Sequence, residues 1–214
     1  MFGIQDRRYY RRREAQRIRA YLSVNAEELV GMPDIELFAV PWYRLTLKYN
    51  VGLIRSTEEL ERLNTVQRAF WITNIYEQKN YGEGLLGFLN SEYRYTAPLL
   101  ISALSMIGAD AHLKLLNGFV KRSGIDLSDL SEFSTDGLNR KKKKLKLDEL
   151  RLRYDIDSFD MEYRKLLPIE DYLLPYIRAN AEQILAEIPD GKRYRKLKAS
   201  QKQKRTVEQV DLRL

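Results

Sequence analysis

Between Gln67 and Gly108 the chain reads QRAFWITNIYEQKNYGEGLLGFLNSEYRYTAPLLISALSMIG, and few folds can accommodate it. An aromatic helix end runs into a glycine-broken turn, then a short apolar helix, a tyrosine-rich loop and a second apolar helix. Upstream, Ser56-Thr57-Glu58-Glu59 fits a capping box, in which Ser56 caps and Glu59 reaches back. Leu60, Leu63, Val66, Phe70, Trp71 and Ile75 then mark one helical stripe. Gly82 is the expected stop, since glycine takes the left-handed conformation a helix end favours. Gly84, Gly87 and Gly82 together suit close approach of another backbone.

The flanking segments follow helical spacing too. Residues 6–22 form an arginine-rich helix with Asp6 as cap and a thin apolar side. Trp42, Leu45 and Tyr49 share a face behind Pro41. Thr96 caps a helix with Pro98 in its first turn, Leu99, Leu100, Ala103, Leu104 and Ile107 inside, and Gly108 at its end. Asp110 caps the next helix, which buries Leu113, Leu116 and Val120 and leaves His112 off the stripe as a surface histidine. Leu147 to Arg153 and the stretch around Phe159, Tyr163 and Leu166 give two further short helices. Pro168 opens the last core helix, which Pro175 kinks or splits. No segment sustains the period-two alternation of a strand, so the expectation is a single compact all-α domain.

Charge divides the chain into parts. Residues 1–22 carry a net +5 and residues 192–214 a net +7; against a total of +7 this leaves −5 for residues 23–191. Within that span RKKKKLK, Arg140 to Lys146, is itself +6. The reading is an acidic core over 23–191, a basic N-terminal helix over 1–22 and a basic tail over 192–214. So dense a run of like charge resists compaction, and residues 134–147 are expected to form a mobile excursion.

Cysteine is absent and His112 is the one histidine, so disulfides, a zinc site and a Ser/His/Asp triad have little to draw on. No phosphate loop or nucleophile elbow is present either, and neither catalytic residue, metal nor cofactor is expected. The longest apolar run, Pro98 to Ala109, is too short to cross a bilayer, and Arg7 and Arg8 precede no signal-like apolar stretch. A cytoplasmic protein without a membrane partner is the expectation.

Two charged surfaces remain as candidates. Asp126, Asp129, Glu132 and Asp136 recur at three, three and four residues; on a helix they would line one acidic face, and otherwise they belong to a solvated loop. Phosphate contacts are offered by Arg7, Arg8, Arg11 and Arg12, by Lys141, Lys142, Lys143 and Lys144, and by Lys192, Arg193, Arg195 and Lys196. These basic segments equally suit packing on the acidic core of the same or a neighbouring subunit.

Phe70, Tyr76, Asn80, Gly82, Phe88, Asn90, Ala103, Leu104, Ile107, Gly108 and Ala109, followed by Phe159, Tyr163, Tyr176 and Ile177, form a recognisable pattern. Over residues 36–187 the chain resembles a bacterial domain family named after a DNA mimic protein, with departures at Glu83 and Leu86. The resemblance implies an all-α fold in which Asn80, Gly82, Phe88, Asn90 and Gly108 serve as structural motif positions. It further implies a non-enzymatic protein whose acidic surface stands in for DNA before a basic, DNA-binding partner. Nucleic-acid binding through the basic segments is the alternative.

Overall fold

In the computed structural model the chain is all-α, with no strand among the described residues. The structure describes residues 4–189 and, apart from Leu53, the side chains from residue 13 onward. In order come α1 (Ile4–Ser23), α2 (Ala26–Gly31), α3 (Asp34–Leu37), α4 (Ala39–Tyr43) and a π turn over Arg44–Lys48. After a short 3-10 turn follow α5 (Thr57–Leu60), α6 (Thr65–Asn90), α7 (Ala97–Met106) and α8 (Asp110–Ser123). The chain ends in α9 (Arg140–Arg153), α10 (Ile156–Tyr163), α11 (Ile169–Ala179) and α12 (Ala181–Leu185).

α6 is the axis of the fold. Phe70, Trp71, Ile72, Ile75 and Tyr76 are buried in its first part, and Leu85, Leu86, Phe88 and Leu89 in its second. α7 packs along it, and α10, α11 and α12 close over other parts of its surface. Aromatic rings supply much of the filling: Trp42 stacks on Trp71 at 5.5 Å, and Tyr76 meets Phe88 and Tyr163 edge-on.

The start of α6 differs from the sequence reading. Ser56 does accept from the Glu59 N–H, but α5 lasts only four residues. A second cap restarts the chain: Asn64 accepts from the Gln67 N–H while Gln67 accepts from the Asn64 N–H. The Gln67 amide nitrogen also donates to the carbonyls of Ile184 and Ala186, tying the end of α12 to the start of α6. Arg44 makes a comparable tie, donating to the Leu22 and Leu185 carbonyls and so holding α1 against α12.

The expected stop at Gly82 also moves. Helical backbone passes through Gly82, and the break falls at Gly84, with φ +71° and ψ −176°. Asp160 of α10 causes it: its carboxylate accepts from the Leu85 N–H at 2.8 Å, capping the second part of α6 from another helix. A Cβ at Gly84 would collide with that carboxyl group.

Other local readings shift by small amounts. α1 begins at Ile4, so Asp6 lies inside the helix and not at its cap. Asp110 is the first residue of α8, with Ala109 before it, and Thr96 donates to the Tyr93 carbonyl instead of capping α7. The buried stripe of α8 is His112, Leu116 and Phe119, one residue round from the expected one. α11 passes through Pro175 unbroken, since Leu173 and Ile177 anchor it on both sides and the proline faces solvent; the break comes at Asn180.

Residues 140–153 are helical where a mobile excursion over 134–147 is expected from charge alone. Asn139 caps α9 by accepting from the Lys142 N–H, Lys and Arg are good helix formers, and buried Leu150 fixes the far end against the core.

Candidate interaction surfaces

A polar cluster lies inside the fold, between α6, α8, α10 and the start of α11. Glu77 accepts hydrogen bonds from the Tyr163 hydroxyl and from the Ile169 N–H. His112 is 1% exposed, which corrects its reading as a surface residue. Its Nε2 sits 2.7 Å from the Leu167 carbonyl and so donates to it, and its ring meets Tyr163 and Tyr172 edge-on. Burial pushes its pKa below the ordinary 6.5, so the ring is neutral at pH 7. Burial likewise raises the Tyr163 hydroxyl far above its usual range. A cavity of about 420 Å³ adjoins the cluster. Glu77, the Tyr163 hydroxyl and His112 Nε2 are spent on one another and on backbone, while His112 Nδ1 and the Tyr76 hydroxyl are buried without a partner; no set of three or more His, Cys, Asp or Glu side chains able to hold a metal ion exists among the described residues.

The acidic stretch 126–136 is not one helix but a loop with a single 3-10 turn over Ser131–Phe133. Asp126 and Asp129 fold back on their own turns, accepting from the Ser128 and Ser131 N–H groups. Hydrogen bonds from the Ser128 and Ser131 side chains first, and from these N–H groups second, hold both carboxyls below the usual carboxylate pKa. Asp136 pairs with Arg94 at 2.9 Å, and Glu132 with Arg153 and the Tyr154 hydroxyl. The four residues predicted to share a helical face thus lie along a loop, and Glu132 and Asp136 are already neutralised.

A larger acidic surface comes from segments far apart in sequence. Glu27 and Glu28 on α2, and Asp34 and Glu36 on α3, are exposed. α11 and α12 pack beside these short helices and add Asp171 and Glu182, also exposed. Arg178 is the basic residue among them, and it is engaged: it donates to the Val30 and Met32 carbonyls at the end of α2 and pairs with Asp34 at 2.6 Å. Sequence inspection passed over this face because no local run of acids marks it.

The basic run presents the opposite picture. Arg140, Lys141, Lys142, Lys143 and Lys144 are exposed on the first turns of α9, and none has a carboxylate within ion-pair distance among the described residues. Lys146 is spent on the Ser134 carbonyl. The Arg7, Arg8, Arg11 and Arg12 side chains, and Lys192, Arg193, Arg195 and Lys196, lie outside the described residues.

Of the motif positions, Asn80 is buried and its side chain donates to the Tyr76 carbonyl. Phe88 is buried, Asn90 accepts from the Thr135 hydroxyl, and Gly108 turns the chain with φ +74°. No described helix is long and apolar enough to cross a membrane.

The chain is an all-α scaffold built on an aromatic axis, with exposed charge on its outer helices. The model of the DMP19-like (DNA mimic protein 19-like) family matches residues 61–180, and the chain belongs to that family. No curated protein and no solved structure matches the chain.

Proposed function

We propose that this is a non-enzymatic interaction protein that offers an acidic helical surface to a basic, DNA-binding protein. The observation that carries the reading is the face built by α2, α3, α11 and α12. These four helices carry Glu27, Glu28, Asp34, Glu36, Asp171 and Glu182 exposed and one cation, Arg178, which is occupied by carbonyls and Asp34. A basic DNA-binding surface recognises spaced negative charge, and exposed carboxylates on rigid helices supply it. Asp126 and Asp129 are exposed on the separate 126–136 loop, where Glu132 and Asp136 have cations of their own. Membership of the DMP19-like family supports the same reading.

The test is affinity capture from a cell extract with the full-length protein. A variant carrying Glu27→Gln, Glu28→Gln, Asp171→Asn and Glu182→Gln serves as control. The reading expects DNA-binding proteins on the wild type that the variant loses and that added duplex DNA displaces. Equal recovery on both, or recovery that DNA leaves untouched, defeats it.

A second reading, binding of nucleic-acid phosphate by the basic segments, is favoured by Arg140 to Lys144, exposed on a helix and without an ion pair among the described residues. Its mark is a gel shift that weakens steeply between low and moderate salt. A shift insensitive to salt counts against it.

A further inference from the structure

Between the start of α9 and the second part of α6 runs a groove of about 760 Å³, within the size range of ligand pockets. Its two walls are helix faces. On α6 the lining residues are Glu83, Leu86, Gly87 and Asn90, which recur at helical spacing. On α9 they include Arg140, Lys143, Lys144 and Leu147, again one face. Leu86 and Leu147 give the floor its apolar character, and the lysine stems extend it upward to ammonium groups at the rim. Arg151, farther along, is held by Asp157, and Glu83 and Asp148 are the acids that also line the groove.

The charges sit at the unfavourable end of their helix. The N-terminal turn of a helix carries the positive end of its dipole and favours acids. α9 places Arg140 and four lysines there, mutually repelling and with no direct ion pair among the described residues; Lys143 lies near Asp136, which Arg94 already holds. An anion laid along that turn relieves both the dipole and the repulsion. The apolar floor adds a second requirement that a phosphate backbone does not use.

From these two features we infer that the α6–α9 groove receives an acidic amphipathic helix of a partner protein. The partner's apolar side chains enter over Leu86 and Leu147, and its carboxylates lie along Arg140, Lys141, Lys143 and Lys144. Helix-in-groove docking is a common use of such geometry. Glu83 on the α6 wall repels acid, so the acidic side of the partner faces α9. This surface is separate from the acidic face of α2, α3, α11 and α12, and the two inferences stand or fall independently.

The experiment measures fluorescence anisotropy with the full-length protein and three labelled probes. The first is a designed 16-residue peptide, about four turns long, with Leu on one helical face and Glu on the other. The second is a peptide of the same composition with the Leu scattered, and the third a duplex DNA oligonucleotide. The amphipathic peptide is expected to bind at least about tenfold tighter than the scattered one, the factor one favourable anchor contributes. The exposed pair K141E/K144E should weaken it at least about tenfold and L147Q several-fold, while K114E/K121E on α8, which does not line the groove, leaves it unchanged. Circular dichroism checks that each variant keeps its helix content, and Leu147→Ala replaces L147Q if that variant unfolds. Equal binding of the scattered peptide, tighter binding of DNA, or indifference to K141E/K144E overturns the inference.

Discussion

The second part of α6 has a charged neighbour on each side, and the two behave in opposite ways. On one side Asp160 of α10 closes onto Gly84 and caps the Leu85 N–H; the residue is 8% exposed and its charge belongs to the fold. On the other side Arg140 to Lys144 of α9 stand in solvent beside an apolar groove. The difference follows from side-chain chemistry. A carboxylate on a short stem accepts from backbone N–H groups and can finish a helix, whereas an ammonium on a long stem cannot cap an N-terminus and projects away from it. The Asp160 carboxyl therefore serves the fold through its bond to the Leu85 N–H, although burial raises its pKa and disfavours its charged form, and charge on the α9 side is left for binding.

The sharpest way to break this contrast is Gly84→Ala. The added Cβ meets the Asp160 carboxyl at a positive φ, and both penalties act together. A loss of about 3 kcal/mol in urea denaturation is expected from strain and displacement combined. Asp160→Ala comes next: it leaves the buried Leu85 N–H without an acceptor, at a cost of about 1–3 kcal/mol. Asp160→Asn keeps an acceptor oxygen and should recover most of that loss. If the two variants are equally destabilised, the cap is not what Asp160 supplies.

The pH dependence is smaller. His112 is buried and neutral, with its pKa held below 6.5 by desolvation. The unfolded chain binds a proton below 6.5 that the folded chain refuses until lower pH. The stability contributed by His112 is thus fully present above pH 6.5 and declines as pH falls toward its lowered folded value. Thermal melts should show this decline in the wild type and a flatter profile in His112→Gln. A histidine-independent acid limb would shift the cause to the carboxylates.

The smallest effect belongs to the α9 side. Lys141→Gln with Lys144→Gln removes two exposed cations from an unfavourable helix end, so stability should hold within ~0.5 kcal/mol or rise slightly. A clear loss would show that these lysines support the fold after all and would erase the contrast.

Particular residues show how far sequence reasoning reached. Ser56 as a cap, the burial of Leu60, Leu63, Val66, Phe70, Trp71 and Ile75 and the turn at Gly108 were legible from near neighbours, whereas the single helix expected through that stripe is broken between α5 and α6 at the Asn64 cap. Gly82 drew the stop that belongs to Gly84, since only Asp160, 75 residues from Leu85, selects between them. His112 looked exposed by periodicity, yet the packing of Tyr163, Tyr172 and Leu167 rotates the buried face of α8 onto it. The acidic candidates failed as a helical face for a local reason that was open to view: Asp126-Leu127-Ser128 and Asp129-Leu130-Ser131 are Asp-x-Ser turns.

By itself the sequence determined that the chain is helical, that its centre is the aromatic and glycine-marked stretch from Gln67 to Gly108, and that charge is divided between an acidic core and basic segments. Those properties follow from spacing, capping and composition, which act over a few residues. Only the tertiary structure decided which charges are free. Glu132 and Asp136 lose theirs to Arg153 and Arg94, Arg178 is consumed at the end of α2, and Glu27 comes to line the same hollow as Glu182. A charge is neutralised or left available by whatever packs against it, and at these positions that neighbour comes from a distant part of the chain.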